Sequence, residues 1–251
     1  MNYNFIGKVA LVTGAGSGIG RATAISFAQS GATVVVSDIN AEGGEETISL
    51  IRKGKGISIF HYCDVASGTE VSALLARTLG AYGRLDFAVN NAGIASILKN
   101  EWDEENWNQS ISINLSGVMH CMKAEAEVML KQGKGAIVNI SSINGLVGNS
   151  LQPAYVSAKH GVVGLTRHGA LKWAQSGIRV NCVCPGVIDT PMVAAASTNP
   201  EIKGLLEGLS PMKRLGQAHE VAAGVLWLCS DAASFVNGHP LVIDGGTTIG
   251  F

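Results

Sequence analysis

Charge is scarce in this chain, and neither sign dominates. Lysine and arginine number 18, aspartate and glutamate 19, leaving a formal net charge of −1 over 251 residues. That balance gives no electrostatic footprint for DNA, RNA or an anionic bilayer, so no nucleic-acid or membrane partner is expected. Long apolar runs are also missing. No window approaches the ~18 consecutive apolar residues of a bilayer-spanning helix. The opening stretch MNYNFIGKVALVTGAG lacks the basic region and cleavage site of a secretory signal, and a cytoplasmic location is expected. Cysteines are few and odd in number. Cys63, Cys121, Cys182, Cys184 and Cys229 have no framework spacing and read as reduced, buried thiols. Cys182 and Cys184 share one face of a strand, but no further Cys or His completes a ligand set beside them. The six histidines are scattered, so no metal site is expected.

Apolar residues, by contrast, make up 47% of the chain, enough for a sizeable core. Short apolar runs alternate with helical patterns. KVALVTGA, TVVVSD, GISIFHYCD, LDFAVNNAG, GAIVNISS, IRVNCVCPG and PLVIDGG read as strands. IGRATAISFAQSG, AEGGEETISLIRKG and TEVSALLARTLGAYG read as helices. Trp107, Ile111, Leu115, Val118 and Met122 recur at helical spacing and predict a long helix over about 103–131. Two more helices are expected over about 153–176 and 217–229, and the stretch of about 187–215 reads as a mobile segment. The pattern predicts an α/β fold. It is a single Rossmann-like doubly wound domain over 1–251, with a seven-stranded parallel sheet flanked by helices.

VTGAGSGIGRA joins the first strand to the first helix. Gly14, Gly18 and Gly20 follow G-x-x-x-G-x-G, and missing β-carbons let a pyrophosphate approach the helix N-terminus. Ser17 and Ile19 belong to the same turn. The second strand ends at Asp38, where a carboxylate can accept hydrogen bonds from both adenosine ribose hydroxyls and would repel a 2′-phosphate. Its neighbours, Ile39 among them, include no compensating arginine, so NAD is favoured over NADP. A plain N-cap role for Asp38 is the alternative. Asp64, followed by Val65, could accept from the adenine amino group. Asn91, Ala92 and Gly93 end the fourth strand with small residues against which a cofactor can lie. In PAYVSAKHG, Tyr155 and Lys159 are four apart and share a helix face behind Pro153. Two ordinary half-buried side chains would satisfy that spacing equally well.

TGAGSGIG, NNAG, Asn114 in SINLSG, Ser142 in NISS, YVSAK, CPG and the closing DGG run through the chain in one order. With these motifs the sequence resembles the short-chain dehydrogenase/reductase family, in its NAD-preferring branch of about 250 residues. The resemblance implies that Tyr155 is the acid/base. It implies that Lys159 lowers the tyrosine's pKa and holds the nicotinamide ribose, and that Ser142, rather than Ser141, donates to the substrate oxygen. Asn114 would hold a water that completes a proton path. Pro185, Gly186, Ile188, Thr190 and Met192 would lie at the nicotinamide, Thr190 doubling as a helix N-cap, with about 187–215 as a substrate lid. Reversible hydride transfer between a secondary alcohol and a ketone follows, in a homotetramer packed through the two long helices and the C-terminal strand.

Two other readings were weighed. A 3-oxoacyl-carrier-protein-type reductase would use NADPH, against Asp38, and enoyl reductases of related fold space Tyr and Lys seven apart rather than four. A non-catalytic NAD-binding protein would not need Asn114, Ser142, Tyr155 and Lys159 together. The substrate pocket is expected from Ile94, Ala95, Ser96, Asn144, Leu146, Gly148, Asn149, Gln152, Gly186, Val187, Met192 and Val193, with Lys99 or Lys203 as the only cations in reach. An uncharged alcohol or ketone suits it. SDAASFVNGHPLVIDGG is similar to members that oxidise alicyclic diols and alcohols.

Overall fold

Strand β1 (Val9–Thr13) is buried throughout and splits its side chains between two layers. Ala10 and Val12 join one core, Val9 and Leu11 the other. An apolar residue at every position is what a strand covered on both faces requires. The computed structural model describes residues 3–95 and 102–250, the side chains of 195–197 excepted. The same logic builds β2 (Thr33–Asp38), β4 (Phe87–Asn90), β5 (Gly135–Ile140) and β6 (Ile178–Pro185). β3 (Ile57–Tyr62) lies at one edge and is more exposed. A two-residue ladder pairs β7 (Ile188–Asp189) with β8 (Gly216–Gln217), and β9 (Pro240–Ile243) closes the main sheet. That sheet has seven parallel strands in the order β3-β2-β1-β4-β5-β6-β9, as the sequence predicts.

Helices α1 (Gly18–Gln29) and α2 (Ala41–Lys53) cover one face through Phe27, Ile48 and Ile51. α3 (Gly68–Tyr82) covers the other through Val71 and Leu74. Caps set where these helices begin. Asn40 Oδ1 accepts from the Gly43 amide at 3.1 Å, and Ser67 Oγ from the Glu70 amide at 3.3 Å.

The helix expected over about 103–131 is two helices joined by a π-helical turn. α4 (Glu104–Ile111) runs into Ser112–Ser116, then α5 (Gly117–Gln132). The buried line is not the apolar series: Asn106, Ser110 and Asn114 are buried, while Trp107 is 39% exposed. Each step of four residues on an α-helix overshoots a full turn by about 40°. A wider π turn takes up that drift and keeps Asn114, Val118 and Met122 on one line. After β5, α6 (Pro153–Trp173) places Pro153 in its first turn. The segment of about 187–215, expected to be mobile, contains α7 (Pro191–Ser197) and α8 (Pro200–Leu209). α9 (Ala218–Cys229) returns to pack on α1 through Val221 and Val225. Among the described residues no helix is long and apolar enough to cross a membrane.

Candidate active site

Strand order reverses at β1, which pairs with β2 on one side and β4 on the other. A crevice opens at the carboxyl ends of strands at such a point. The turn after β1 enters it through Gly14 and Gly18, at φ +61° and +50°, a region side chains rarely adopt. Gly20 is needed for contact rather than conformation: a Cβ there would strike the Gly14 carbonyl oxygen. Asn91 braces the turn from β4, donating from Nδ2 to Thr13 O at 3.0 Å and Gly14 O at 2.9 Å. Thr13 answers it, its hydroxyl accepting from the Asn91 and Ala92 amides at 3.1 and 3.2 Å. The sequence reading passed over this threonine, whose only signal was its place before Gly14.

A cleft of about 270 Å³ lies along these strand ends. Gly14, Ser17, Gly18 and Ile19 form one wall, and Asp38, Ile39, Asp64 and Val65 the next. Asn91, Ala92, Gly93, Thr190 and Met192 close it. Gly20, Pro185, Gly186 and Ile188 do not line it. Gly20 is buried under the turn, Pro185 is buried at the end of β6, and Gly186 packs against Asp244. Ile188 faces a separate cavity of about 360 Å³ with Val187 and Met212. Cys63 lines the cleft as an inert thiol, pushed up to about 12, chiefly by burial.

Asp38 does not cap α2; Asn40 does. Instead Asp38 Oδ2 accepts from the Gly16 amide and Oδ1 from the Asn40 amide, both at 2.8 Å. The carboxylate is thus aimed at the glycine turn, with Ile39 59% exposed beside it. Arg21 donates to Gly16 O and, at 2.6 Å, to Glu46. Asp64 Oδ1 accepts from the Ala66 amide at 2.9 Å. Thr190 stands at the N-cap position of α7, but its hydroxyl makes no cap bond and donates to Ile188 O at 3.3 Å.

Neither Tyr155 nor Lys159 lines the cleft, but Lys159 reaches its Gly93 edge, with Tyr155 one helical turn before it. Lys159 Nζ lies 5.4 Å from the Tyr155 ring centroid and donates to Ile140 O at 2.9 Å. A Cβ on Gly93 would sit 3.7 Å from that Nζ and 2.7 Å from Asn114 Oδ1. Asn114 is fully buried, its Oδ1 accepting from Ile94 N at 2.9 Å and its Nδ2 donating to Ile94 O at 3.1 Å. The two adjacent serines separate cleanly. Ser142 lies beside the Tyr155 phenol, and its Oγ accepts from the Asn144 amide at 3.1 Å. Ser141 turns away and donates to Lys159 O at 2.9 Å.

Burial governs the charges here. It pushes the Tyr155 phenol above its ordinary value, with Ser142 pulling the other way. It also draws the Lys159 ammonium down to about 8, opposed by Cys184 and Cys182. The lowering of Tyr155 by Lys159 that the resemblance implies does not act in the protein alone, where burial and Ser142 set the phenol. Cys182 and Cys184 pack together with Val163, and all five cysteines are free and buried.

Of the expected substrate-pocket residues, Ile94 and Met192 reach the cleft. Leu146 instead packs on Val163, Cys182 and Cys184. Asn149 closes a local turn with the Leu151 amide at 2.8 Å. Ala95, Gly148 and Gln152 follow from the strand ends and the loop before α6, and Val193 from the first turn of α7. Lys203 faces Glu207 at 3.9 Å rather than an anionic substrate. Ser96, Lys99 and Phe251 lie outside the described residues.

A family profile described as "Enoyl-(Acyl carrier protein) reductase" matches residues 14–248. The chain is 45% identical over 246 residues to a 2,5-dichloro-2,5-cyclohexadiene-1,4-diol dehydrogenase of Sphingobium indicum, covering 96% of this chain and 97% of that one. It is 43% identical over 250 residues to a cyclohexanol dehydrogenase of Acinetobacter sp. (strain SE19), covering 99% and 98%. The crystal structure of levodione reductase superposes with a TM-score of 0.95 at 36% identity, covering 99% of this chain and all of the other. A solved structure from Agrobacterium tumefaciens, with TM-score 0.91, 33% identity and 99% of each chain covered, holds bound NADP.

Proposed function

The chain belongs to the short-chain dehydrogenase/reductase family, and from that footing we propose that Tyr155 is its general acid and base, that NAD is its preferred nicotinamide cofactor, and that its substrate is an uncharged ring alcohol or the matching ketone. Its reaction class is the interconversion of a secondary alcohol and a ketone by hydride transfer. The observation that carries the residue assignment is Lys159 Nζ, over the Tyr155 ring and at the Gly93 edge of the cleft, with Ser142 beside the phenol.

The glycine turn and the N-terminus of α1 would hold a pyrophosphate. Asp38 would take the adenosine ribose, Asp64 and Val65 the adenine, and Asn91 to Gly93 with Thr190 and Met192 the nicotinamide half. When bound, the oxidised cofactor accepts hydride from the carbinol carbon, and its positive ring favours a phenolate nearby. Ser142 donates to the substrate oxygen and shares the charge that develops there. Tyr155 takes the hydroxyl proton in oxidation and returns it in reduction. Lys159 would stabilise the phenolate, and Asn114 would hold a water that carries the proton on toward solvent. No cation stands free near Tyr155 among the described residues, which supports an uncharged substrate. The names of two relatives, a cyclohexadienediol and a cyclohexanol dehydrogenase, support a ring. A groove between α5 and α6 with Met119 and Leu130 exposed in it supports a homotetramer, which light scattering would check.

The test is an initial-rate assay with NAD and with NADP over ring alcohols and ketones, with Y155F as control. We expect turnover with NAD that Y155F abolishes. Turnover with NADP alone would overturn the Asp38 assignment, and an active Y155F would overturn the acid/base assignment.

A further inference from the structure

Glu125 sits on α5 with none of its surface exposed. Its position in a helix of polar-looking sequence gave no hint of that. Asn90, at the end of β4, donates from Nδ2 to Glu125 Oε2 and to Asn139 Oδ1, both at 3.0 Å. Asn139, on β5, donates to Thr166 Oγ1 of α6 at 2.9 Å, and Thr166 donates to Val162 O at 2.8 Å. Two oxygens of this chain of bonds have no donor among the described residues: Asn90 Oδ1 and Glu125 Oε1. Both are acceptors if Glu125 is ionised, and both then stay unpaired. A carboxylic acid resolves this with one proton. Protonated, Glu125 Oε1 would be a donor, and Asn90 Oδ1 is the unpaired acceptor on the amide that already bonds Glu125 Oε2.

No cation offers the alternative. No ion pair of Glu125 occurs among the described residues; β4 meets it with Asn90, which bonds Asn139 of β5, and Asn139 in turn bonds Thr166 of α6. Lys159 of α6 is committed to Ile140 O. The titratable neighbour is Cys121 on the same helix, with Cys63 behind it, and burial pushes both thiols up. Burial likewise lifts Glu125 to about 8, against the pull of the Asn90 bond.

We propose that Glu125 is kept as the neutral acid and, paired with Asn90, is the positioning residue that holds the cofactor edge of β4 against the catalytic helices. Asn90 directly precedes Asn91 to Gly93. α5 continues from the π turn that carries Asn114, and Asn139 lies three residues before Ser142. Thr166 lies on the helix of Tyr155 and Lys159. One buried network therefore joins β4, α5, β5 and α6, the elements next to Asn91, Asn114 and Ser142 and the one that carries Tyr155 and Lys159. The positioning half rests on the function proposed above; the protonation half does not.

The experiment compares wild type, E125Q and E125L. Glutamine keeps the shape, a donor and an acceptor, and cannot ionise. The infrared difference spectrum of wild type minus E125Q at about pH 6 is expected to show the carbonyl band of a protonated acid, fading above about pH 8. Its absence would overturn the protonation. A carboxyl with a raised folded-state pKa stabilises fully below the unfolded value and loses that contribution as pH rises to the folded one. The melting temperature of wild type should therefore fall relative to E125Q between about pH 4.5 and about pH 8; parallel curves would overturn the idea. With whichever cofactor wild type turns over, E125L is expected to raise its KM several-fold at unchanged kcat, with E125Q restoring it. A KM that E125L leaves unchanged, or that E125Q does not restore, would overturn the positioning role. Should E125L not fold, E125Q and the infrared band still decide the protonation, and an E125Q KM unlike that of wild type would overturn the positioning.

Discussion

Replacing Lys159 by methionine is expected to abolish activity yet stabilise the protein at neutral pH, by an amount that changes sign as pH rises. Lys159 is 4% exposed, and its Nζ has one partner that can offset desolvation, the Ile140 carbonyl at 2.9 Å. A pKa drawn from 10.5 to about 8 corresponds to about 3 kcal/mol against the charged form in the folded state. That penalty is complete below about pH 8. Between about pH 8 and pH 10.5 the unfolded chain binds more protons than the folded one, so wild-type stability climbs through that window. Methionine matches the length without the charge and leaves Ile140 O unpaired, a loss of about 1–2 kcal/mol at every pH. K159M should therefore be more stable by about 1–2 kcal/mol at pH 7 and less stable by a similar amount at about pH 10.5. Urea unfolding followed by circular dichroism at the two pH values reads this directly. A stability difference that stays the same at both would refute the claim that burial sets the charge of Lys159.

The two adjacent serines should part company. S142A is expected to lower kcat by about 10²–10³, the cost of one donor to a developing oxyanion, with the fold intact. S141A should instead cost about 1 kcal/mol of stability and leave most of the rate; similar rates for the two would refute the assignment. Asp86 accepts from the Val9 amide at 3.0 Å and from Lys8 and Arg84, and these bonds hold its carboxyl below its ordinary value although burial opposes them. That contribution is present above the ordinary carboxylate pKa and lost as pH falls through the lower folded value. D86N should flatten the acid limb of the stability curve, and an unchanged limb would refute it. Ultraviolet titration of wild type against Y155F, without cofactor, should place ionisation of Tyr155 above the ordinary phenol value of 10.0. An ionisation below that value would show that Lys159 alone tunes the phenol.

The sheet was readable because its strands are covered on both faces, so each appears as an unbroken apolar run such as Val9 to Val12. The cofactor cleft was readable because the chain marks it with glycine where Gly14 takes positive φ and where Gly20 meets a carbonyl. Reading failed where polar residues are buried. Asn106 and Ser110 of α4 and Asn114 of the π turn form the inner line, yet the apolar periodicity follows Trp107 and Ile111, which lie more to the outside. The helices of 187–215 did carry a signal. Thr190–Pro191 and Asn199–Pro200 each pair a cap-type residue with a first-turn proline, and Asn199 accepts from the Glu201 amide at 2.9 Å. The alanine-rich composition between them masked it. Glu125 was beyond reach, since nothing in a sequence distinguishes a solvated glutamate from one buried beneath a strand end.

Burial moves Tyr155, Lys159 and Glu125 in the same chemical sense, toward neutrality: the phenol and the carboxyl upward, the ammonium downward. Such clustering is typical of functional sites, because a fold selected for stability alone would leave these groups in water or replace them. The three also divide the work. Glu125 has a complementary amide in Asn90 that can complete its bonds, so neutrality suits a fixed, holding role. Tyr155 and Lys159 have no such complementary partner among the described residues: the ammonium meets a ring face and one backbone carbonyl, and the phenol has Ser142 beside it. A tyrosine already ionised in the protein alone would bind its proton too weakly to return it to a ketone. With the roles proposed above, starting from a neutral pair would let one site run in both directions, the charge of the cofactor deciding which form of Tyr155 the substrate meets.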